Sequence, residues 1–163
     1  MKKEDFYYDS DDKITKIHGI RWIPEGKIKG IIHIVHGMLE HVNRYDEFGR
    51  YFASKGFLVT GNDHLGHGYS VNSEEDRGYF SKIEGNKTIL EDMHNLHIIL
   101  KQEYKNIPYF ILGHSMGSFL IRQYITIYNE KIAGAIIVGT GHQPYVLVKI
   151  GLIITRIIAS FKG

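Results

Sequence analysis

The sequence has 163 residues, of which 43% are hydrophobic and 23% are charged, and this composition is that of one ordinary globular domain. A net charge of +2, without any run of five or more lysines and arginines, gives no reason to expect a nucleic-acid partner. The absence of cysteine excludes disulfides, thiolate catalysis and cysteine-ligated metal, and no apolar leader follows the first five residues, so we expect a cytoplasmic protein.

The amino-terminal part of the chain predicts a β-hairpin followed by a buried strand. Two β-rich runs, at residues 6–9 and 14–23, flank the turn-forming Ser-Asp-Asp of residues 10–12. Residues 30–37 then form a short, almost continuous apolar run that ends in glycine. Such a run is typical of a strand that is buried on both faces of a parallel sheet.

Helical and strand patterns then alternate along the chain. Aromatic residues recur on one face of a predicted helix that ends at Gly56, and this face carries Tyr45, Phe48, Tyr51 and Phe52. Further helices are predicted at residues 88–105 and 117–129, and further strands at residues 57–60, 109–112 and 133–138. Because parallel strands need a helix-length crossover, the alternation predicts an α/β fold with a mostly parallel sheet and helices on both faces.

Polar and glycine-rich clusters follow four of the predicted strands, at residues 36–38, 63–68, 113–115 and 139–142. In open α/β folds the carboxyl ends of parallel strands meet at one edge of the sheet, and ligands bind at that edge. We therefore expect the four clusters to form one rim that carries the functional site.

Residues 113–117, Gly-His-Ser-Met-Gly, match the pattern G-x-S-x-G between a predicted strand and a predicted helix. The small glycines let the chain turn sharply, so that the serine hydroxyl stands outward as a nucleophile. The sequence thus predicts acyl transfer at Ser115, with the oxyanion bound by the backbone N–H groups of Met38 and Met116. The alternative is a serine that only caps the helix that follows.

Three motifs in order carry a resemblance to a known family. They are HGMLEH with RY at residues 36–45, DHLGHGYS at residues 63–70 and GHSMG at residues 113–117. With them, the chain from about residue 5 resembles the monoacylglycerol lipase and lysophospholipase branch of the α/β-hydrolase fold. The resemblance implies a serine hydrolase of carboxylic esters, with Ser115 as nucleophile, Met38 and Met116 as oxyanion donors, no metal and no organic cofactor.

Members of this family place their catalytic acid after a seventh strand and their histidine after an eighth. The sequence ends before either, so we expect an α/β-hydrolase fold that lacks its last two strands. Of the residues that follow Ser115, Glu130 is excluded as the acid because the intervening helix places it about 20 Å away. His142 follows the strand expected beside that of Ser115 and is a candidate substitute base, with lining of the pocket as the alternative.

The other histidines invite a metal hypothesis, because His64 with His67, or His94 with His97, have spacings that two ligands could use. A catalytic zinc takes three protein ligands, so we expect packing and hydrogen-bonding roles instead. The same roles are expected of His36 and His114. Asp63 and His64 precede the serine, and we expect them to organise a loop about 10 Å from it rather than to complete a triad.

Residues 145–163 predict an amphipathic helix that is separate from a partial hydrolase core at residues 1–144. Its apolar side chains recur at helical spacing, but Lys149 and Arg156 make it a poor membrane span. Either the helix packs on the body of the protein, or it begins a lid or cap that contacts a membrane surface or a lipid-like substrate.

The resemblance implies an esterase whose substrates are monoacylglycerols, lysophospholipids or other small single-chain acyl esters. Without the two missing members of the triad, we expect the chain to be a weak catalyst or inactive. The alternative is a non-catalytic product that binds a ligand, or that self-associates through the exposed sheet edge at residues 133–138. A third hypothesis is that a second polypeptide supplies the missing strands.

Overall fold

The computed structural model describes residues 1–81, 84–128 and 131–161. Within these ranges six strands form one sheet: β1 (Lys2–Asp9), β2 (Lys16–Ile23), β3 (Gly30–Val35), β4 (Phe57–Asn62), β5 (Tyr109–His114) and β6 (Gly134–Val138). The same ranges contain the helices α1 (Asp46–Ser54), α2 (Gly85–Glu103), α3 (Met116–Ile127) and α4 (Tyr145–Ser160).

The strands follow the order β1-β2-β4-β3-β5-β6. The hairpin of β1 and β2 is antiparallel and joins the sheet antiparallel to β4, whereas β4, β3, β5 and β6 are all parallel to one another. In this register Ile31 of β3 lies between Leu58 of β4 and Tyr109 of β5. The predicted α/β fold with a mostly parallel sheet is confirmed. Because its four parallel strands run in the same direction, their carboxyl ends lie at the same end of the sheet.

Helices cover both faces of the sheet because side chains alternate along the buried strands. Ile31 and Val35 of β3 pack with apolar residues of α2 and α3, while Ile32 and Ile34 pack with the cluster under α1. All four of these isoleucine and valine side chains are buried. The two apolar layers fix β3 and its neighbours at the centre of the molecule.

Trp22 anchors α1 to the sheet. Its side chain is fully buried, and its Nε1–H donates to Asp46 Oδ1 at 2.8 Å at the start of α1. A Cβ atom added to Gly49 would lie 2.3 Å from the indole ring, so the helix can approach this closely only with glycine there. Of the aromatic residues predicted on one face of this helix, Tyr51 is 59% exposed, because the buried face of α1 is centred on Gly49 and Ala53.

The predicted elements differ from the observed ones mainly at their ends. β1 begins at Lys2, and β2 begins only at Lys16, because the Asp12 carboxylate accepts the N–H groups of Ile14 and Thr15 at 2.8 Å and holds them in the turn. α2 starts three residues earlier than expected. The predicted helix end at Asn129 lies outside the described residues.

β6 and α4 are the least covered elements of the described structure. β6 is an edge strand, with Ile136, Ile137 and Val138 each more than 40% exposed. All of α4 is exposed, including its apolar side chains. No helix within the described residues combines the length and apolarity needed to cross a membrane. The division into a core and a lid or cap helix stays a prediction.

Candidate active site

Ser115 is the residue that connects β5 to α3, and its backbone is strained. Its φ of 51° and ψ of −117° lie in a region that residues with a side chain rarely adopt. The Ser115 N–H donates to the Val138 carbonyl of β6 at 3.0 Å, and the side chain is partly exposed. The turn therefore holds the serine at the carboxyl end of a strand that is paired on both sides.

The two glycines of the serine motif are required by close backbone contacts. A Cβ atom added to Gly113 would lie 2.4 Å from the Gly117 carbonyl oxygen, and one added to Gly117 would lie 2.0 Å from the Val35 carbonyl oxygen. Both distances are shorter than any contact that a carbon atom and an oxygen atom make without a covalent bond. The pattern G-x-S-x-G is thus explained by the packing of the first turn of α3 onto β3 and β5.

The loop after β3 runs beside the serine. A Cβ atom added to Gly37 would lie 3.2 Å from Ser115 Cβ, and Met38 follows with a side chain that is 62% exposed. Among the hydrogen bonds of the described residues, neither the Met38 N–H nor the Met116 N–H has an acceptor. Such amides are available to bind a developing oxyanion, and their assignment as the two donors stays a prediction.

Glu40 ties this loop to the serine strand, and sequence reasoning missed it. Its buried carboxylate accepts the Gly37 N–H, the hydroxyl of Tyr45 at 3.0 Å and the Nδ1 of His114 at 3.0 Å, and it pairs with Arg44 at 3.1 Å. Burial by itself would raise the pKa of Glu40, but the hydrogen bonds from His114, Gly37 and Tyr45 outweigh burial and lower it. A glutamate three residues after the glycine is the only signal in the sequence, and it is a weak one.

Three buried histidines line the sheet edge behind this loop. The ring of His36 lies 4.1 Å from that of His64 and 5.5 Å from that of His67, measured between centroids. Burial lowers the pKa of His36 to about 4 and that of His64 well below its usual value, so both rings are neutral near pH 7. Among the described residues, no group of three or more histidines, cysteines and carboxylates is arranged to hold a metal ion.

Asp63 organises the loop after β4, as expected. Its carboxylate accepts hydrogen bonds from the N–H groups of Val42 and Tyr69 and pairs with His18 Nδ1 at 2.8 Å. Burial opposes ionisation, but these partners outweigh it and hold the pKa of Asp63 below its usual value. Because β3 separates β4 from β5, Asp63 lies two strands away from the serine strand.

His142 lies in the exposed loop after β6, beside the outer face of α3. The depression that it lines has a volume of about 540 Å³, and its other walls include Phe119, Gln123 and Thr126 of α3. The loop is held there by Arg122, whose guanidinium donates to the Gly141 carbonyl at 3.3 Å. A role for His142 as a base stays a prediction.

The remaining predicted residues do not meet at the serine. His94 and His97 both contact the Tyr124 hydroxyl, through Nδ1 atoms at 3.0 Å and 2.7 Å, which is the hydrogen-bonding role expected of them. None of the described residues forms a hydrogen bond with the Ser115 hydroxyl. Glu130 lies outside the described residues.

Comparison with known proteins places the chain in a family. The family model described as serine aminopeptidase, S33, matches residues 26–162. The chain is 37% identical over 97 residues to a monoglyceride lipase homolog of Monkeypox virus, covering 60% of the chain and 33% of the relative. It is 27% identical over 135 residues to a monoacylglycerol lipase of Mycolicibacterium smegmatis, covering 80% of the chain and 46% of the relative.

A solved structure supports the same placement. The chain superposes on a highly thermostable carboxyl esterase from Bacillus coagulans in complex with glycerol, with a TM-score of 0.87 and 31% identity. The match covers the whole chain and 52% of the esterase. The chain spans about a third to a half of the length of these two curated relatives.

Proposed function

Because the chain belongs to the serine aminopeptidase S33 family, a family of hydrolases with the α/β-hydrolase fold, we propose that it is a serine hydrolase of carboxylic esters with Ser115 as its nucleophile. The observation that carries this proposal is the backbone of Ser115 itself. A positive φ at a serine between a buried strand and a helix is an unfavourable conformation, and such strain is kept where function needs it.

The reaction would run through an acyl-enzyme. Ser115 Oγ attacks the ester carbonyl as its proton passes to a base, and the resulting oxyanion is held by the N–H groups of Met38 and Met116. Collapse of this intermediate breaks the bond to the alcohol, which leaves with the proton, and the acyl group remains on Ser115. A water molecule then repeats the attack, which releases the carboxylic acid and restores the serine.

The substrate class is proposed from the relatives. Two of them are named as lipases of monoglycerides or monoacylglycerols, and the esterase was solved with glycerol. We therefore assign monoacylglycerols to this site, and the resemblance of the motifs extends the assignment to other single-chain esters such as lysophospholipids. The exposed apolar side chains of α4, for example Ile153 and Ile157, would suit the acyl tail of such a substrate.

The competing candidate is a non-catalytic chain that binds a ligand or associates with itself. Two observations favour it: the Ser115 hydroxyl has no hydrogen-bonded base among the described residues, and the edge strand β6 exposes apolar side chains. Removal of the histidine of a triad lowers turnover by about a million-fold in a serine protease. An unprotected strand edge recruits other chains.

A fluorophosphonate probe distinguishes the two candidates, because it modifies only a serine that is activated. We expect the probe to label Ser115, with the adduct located by mass spectrometry of the peptide and absent in Ser115→Ala. Ser73→Ala, which changes an exposed serine far from the motif, serves as the matched control. Absence of labelling in the wild-type chain would reject the esterase proposal for this chain and favour the non-catalytic candidate.

The same probe tests His142. If His142 is the base, His142→Ala abolishes labelling while the fold, followed by circular dichroism, is unchanged. Labelling that is unaffected by His142→Ala would reject His142 as the base. Hydrolysis of a monoacylglycerol and of an aminoacyl anilide, measured in parallel, then separates an esterase from the aminopeptidase that the family description suggests.

A further inference from the structure

We infer that His36 is a positioning residue, whose ring sets the orientation of the Gly37–Met38 peptide so that the Met38 N–H faces the oxyanion formed at Ser115. This inference rests on the proposed function, because only a nucleophilic Ser115 gives that amide a reaction to serve. It goes further in assigning a task to a histidine whose ring hydrogen-bonds the backbone of Gly37 and His64 rather than the serine hydroxyl.

The hydrogen bonds of His36 fix which ring nitrogen carries the proton. Nε2 lies 3.0 Å from the backbone nitrogen of His64, which can only donate, so Nε2 is the acceptor and is unprotonated. The ring is fully buried and neutral near pH 7, so its single proton is on Nδ1. Nδ1 lies 2.7 Å from the Gly37 carbonyl oxygen and therefore donates to it.

The geometry of the peptide bond transmits this contact to Met38. In a trans peptide the C=O and N–H bonds point in opposite directions, and the described chain contains no cis peptide. When the Gly37 carbonyl turns toward the His36 ring, the Met38 N–H consequently turns away from it. That N–H has no acceptor among the described residues, whereas the Gly37 N–H donates a hydrogen bond to the Glu40 carboxylate.

The segment is also held close to the nucleophile. A Cβ atom on Gly37 would lie 3.2 Å from Ser115 Cβ, and Glu40 links the Gly37 N–H to His114, the residue before the serine. Because the N–H and the carbonyl of Gly37 are both hydrogen-bonded, the Gly37–Met38 peptide is held in one orientation and its Met38 N–H is left without an acceptor among the described residues. Preorganised donors of this kind stabilise an oxyanion without any reorganisation in the transition state.

Two substitutions of His36 separate this role from simple packing. In His36→Asn, the side-chain amide nitrogen takes the place of Nδ1 and can still donate to the Gly37 carbonyl, but the acceptor for the His64 N–H is lost. In His36→Gln, the side-chain carbonyl takes the place of Nε2 and can still accept from His64, but the donor to Gly37 is lost. The readout is the rate constant for fluorophosphonate labelling of Ser115, with the free energy of unfolding measured for each variant.

We expect His36→Gln to lower the labelling rate by about ten- to a hundredfold and His36→Asn to stay within about threefold of the wild type, since loss of one oxyanion donor costs roughly 100-fold or more. A merely structural role would lower both rates in step with the loss of stability. Equal losses in the two folded variants, or a larger loss in His36→Asn, would overturn the inference.

A second measurement covers the case in which either variant fails to fold. The ¹⁵N chemical shifts of the His36 ring in the wild-type chain report its tautomer directly, and we expect a protonated Nδ1 and an unprotonated Nε2 at pH 7. The opposite tautomer or an imidazolium would overturn the inference. If the wild-type chain is not labelled at all, the proposed function fails, and the ring nitrogen shifts still decide the orientation of the peptide.

Discussion

At the scale of single residues, the backbone of Ser115, the proposed nucleophile, is strained. Glycine adopts a positive φ without steric penalty, whereas serine and alanine do not. Replacement of Ser115 by glycine should therefore raise the free energy of unfolding by about 1 kcal/mol, and Ser115→Ala should leave it unchanged because alanine keeps the strained Cβ. Thermal unfolding of the three chains measures this. Equal melting temperatures for the glycine and alanine variants would show that the turn is not strained.

Gly117 is a second residue whose identity the structure explains. Alanine at this position would place Cβ 2.0 Å from the Val35 carbonyl oxygen, so either α3 or β3 must move. We expect Gly117→Ala to cost about 3 kcal/mol or more in urea unfolding. Gly151→Ala is the matched control in α4, where a new Cβ meets nothing within 4 Å, and it should be neutral or stabilising by up to about 1 kcal/mol. A tolerated Gly117→Ala would contradict the close contact.

Sequence reasoning found the residues whose type is itself the signal. The glycines around Ser115 belong to a pattern with one steric explanation, and the structure supplies the contacts behind it. It did not find Glu40, and it assigned His36 only a generic role. The role of Glu40 depends on the burial of its carboxylate, and the role of His36 depends on which ring nitrogen carries the proton. Neither property is encoded in the spacing of residues.

At the scale of elements, Asp92 joins the β1–β2 turn to α2 across about half of the chain. Ser10 Oγ donates to Asp92 Oδ2 at 2.9 Å, and the Asp11 N–H donates to Oδ1 at 2.6 Å. Burial raises the pKa of Asp92 to about 7 in spite of these bonds. The sequence predicted both the hairpin and the helix. The contact between Asp11 and Asp92 could not be predicted, because the two residues are 81 positions apart and hydrophobic periodicity reports only on local structure.

Asp92 should make stability depend on pH. Because its folded pKa lies above the unfolded value near 3.8, the stability contributed by neutral Asp92 is complete below that value and is lost as the pH rises through about 7. Asp92→Asn removes the cost of an ionised buried carboxylate. It should therefore stabilise the fold by about 2 kcal/mol more at pH 8 than at pH 5.

Urea midpoints at the two pH values measure this difference. Glu47→Gln, which neutralises an exposed carboxylate on α1, is the control and should show no such dependence. An Asp92→Asn effect of the same size at both pH values would mean that the carboxylate ionises normally in the folded protein.

At the scale of the whole molecule, the two edge strands of the described sheet differ. β1, at one edge, includes half-buried and buried residues, whereas β6, at the other edge, and α4 leave their apolar side chains bare. Alternation of helices and strands was sufficient to predict the sheet, because each crossover is local in the sequence. The extent to which the last elements are covered depends on what packs against them, which the pattern of one chain does not specify.

The exposed edge strand β6 predicts that the chain associates with itself. We expect the purified chain to form concentration-dependent oligomers in sedimentation velocity, because an edge strand with exposed isoleucines offers free backbone groups and apolar surface. Ile137→Lys should shift the distribution toward monomer. Ile125→Lys, at a similarly exposed position on α3, should not. A wild-type chain that stays monomeric at every concentration would reject this use of the edge.

The burial of Trp22 gives these experiments an optical reporter. It is the only tryptophan in the sequence, and its indole is enclosed between β2 and α1. Its fluorescence emission should therefore be blue-shifted in the native protein and move to longer wavelength when the α1 layer opens. Since α2 and α3 lie on the opposite face of the sheet, a transition seen by fluorescence before the loss of helical ellipticity would reveal that the two layers melt separately.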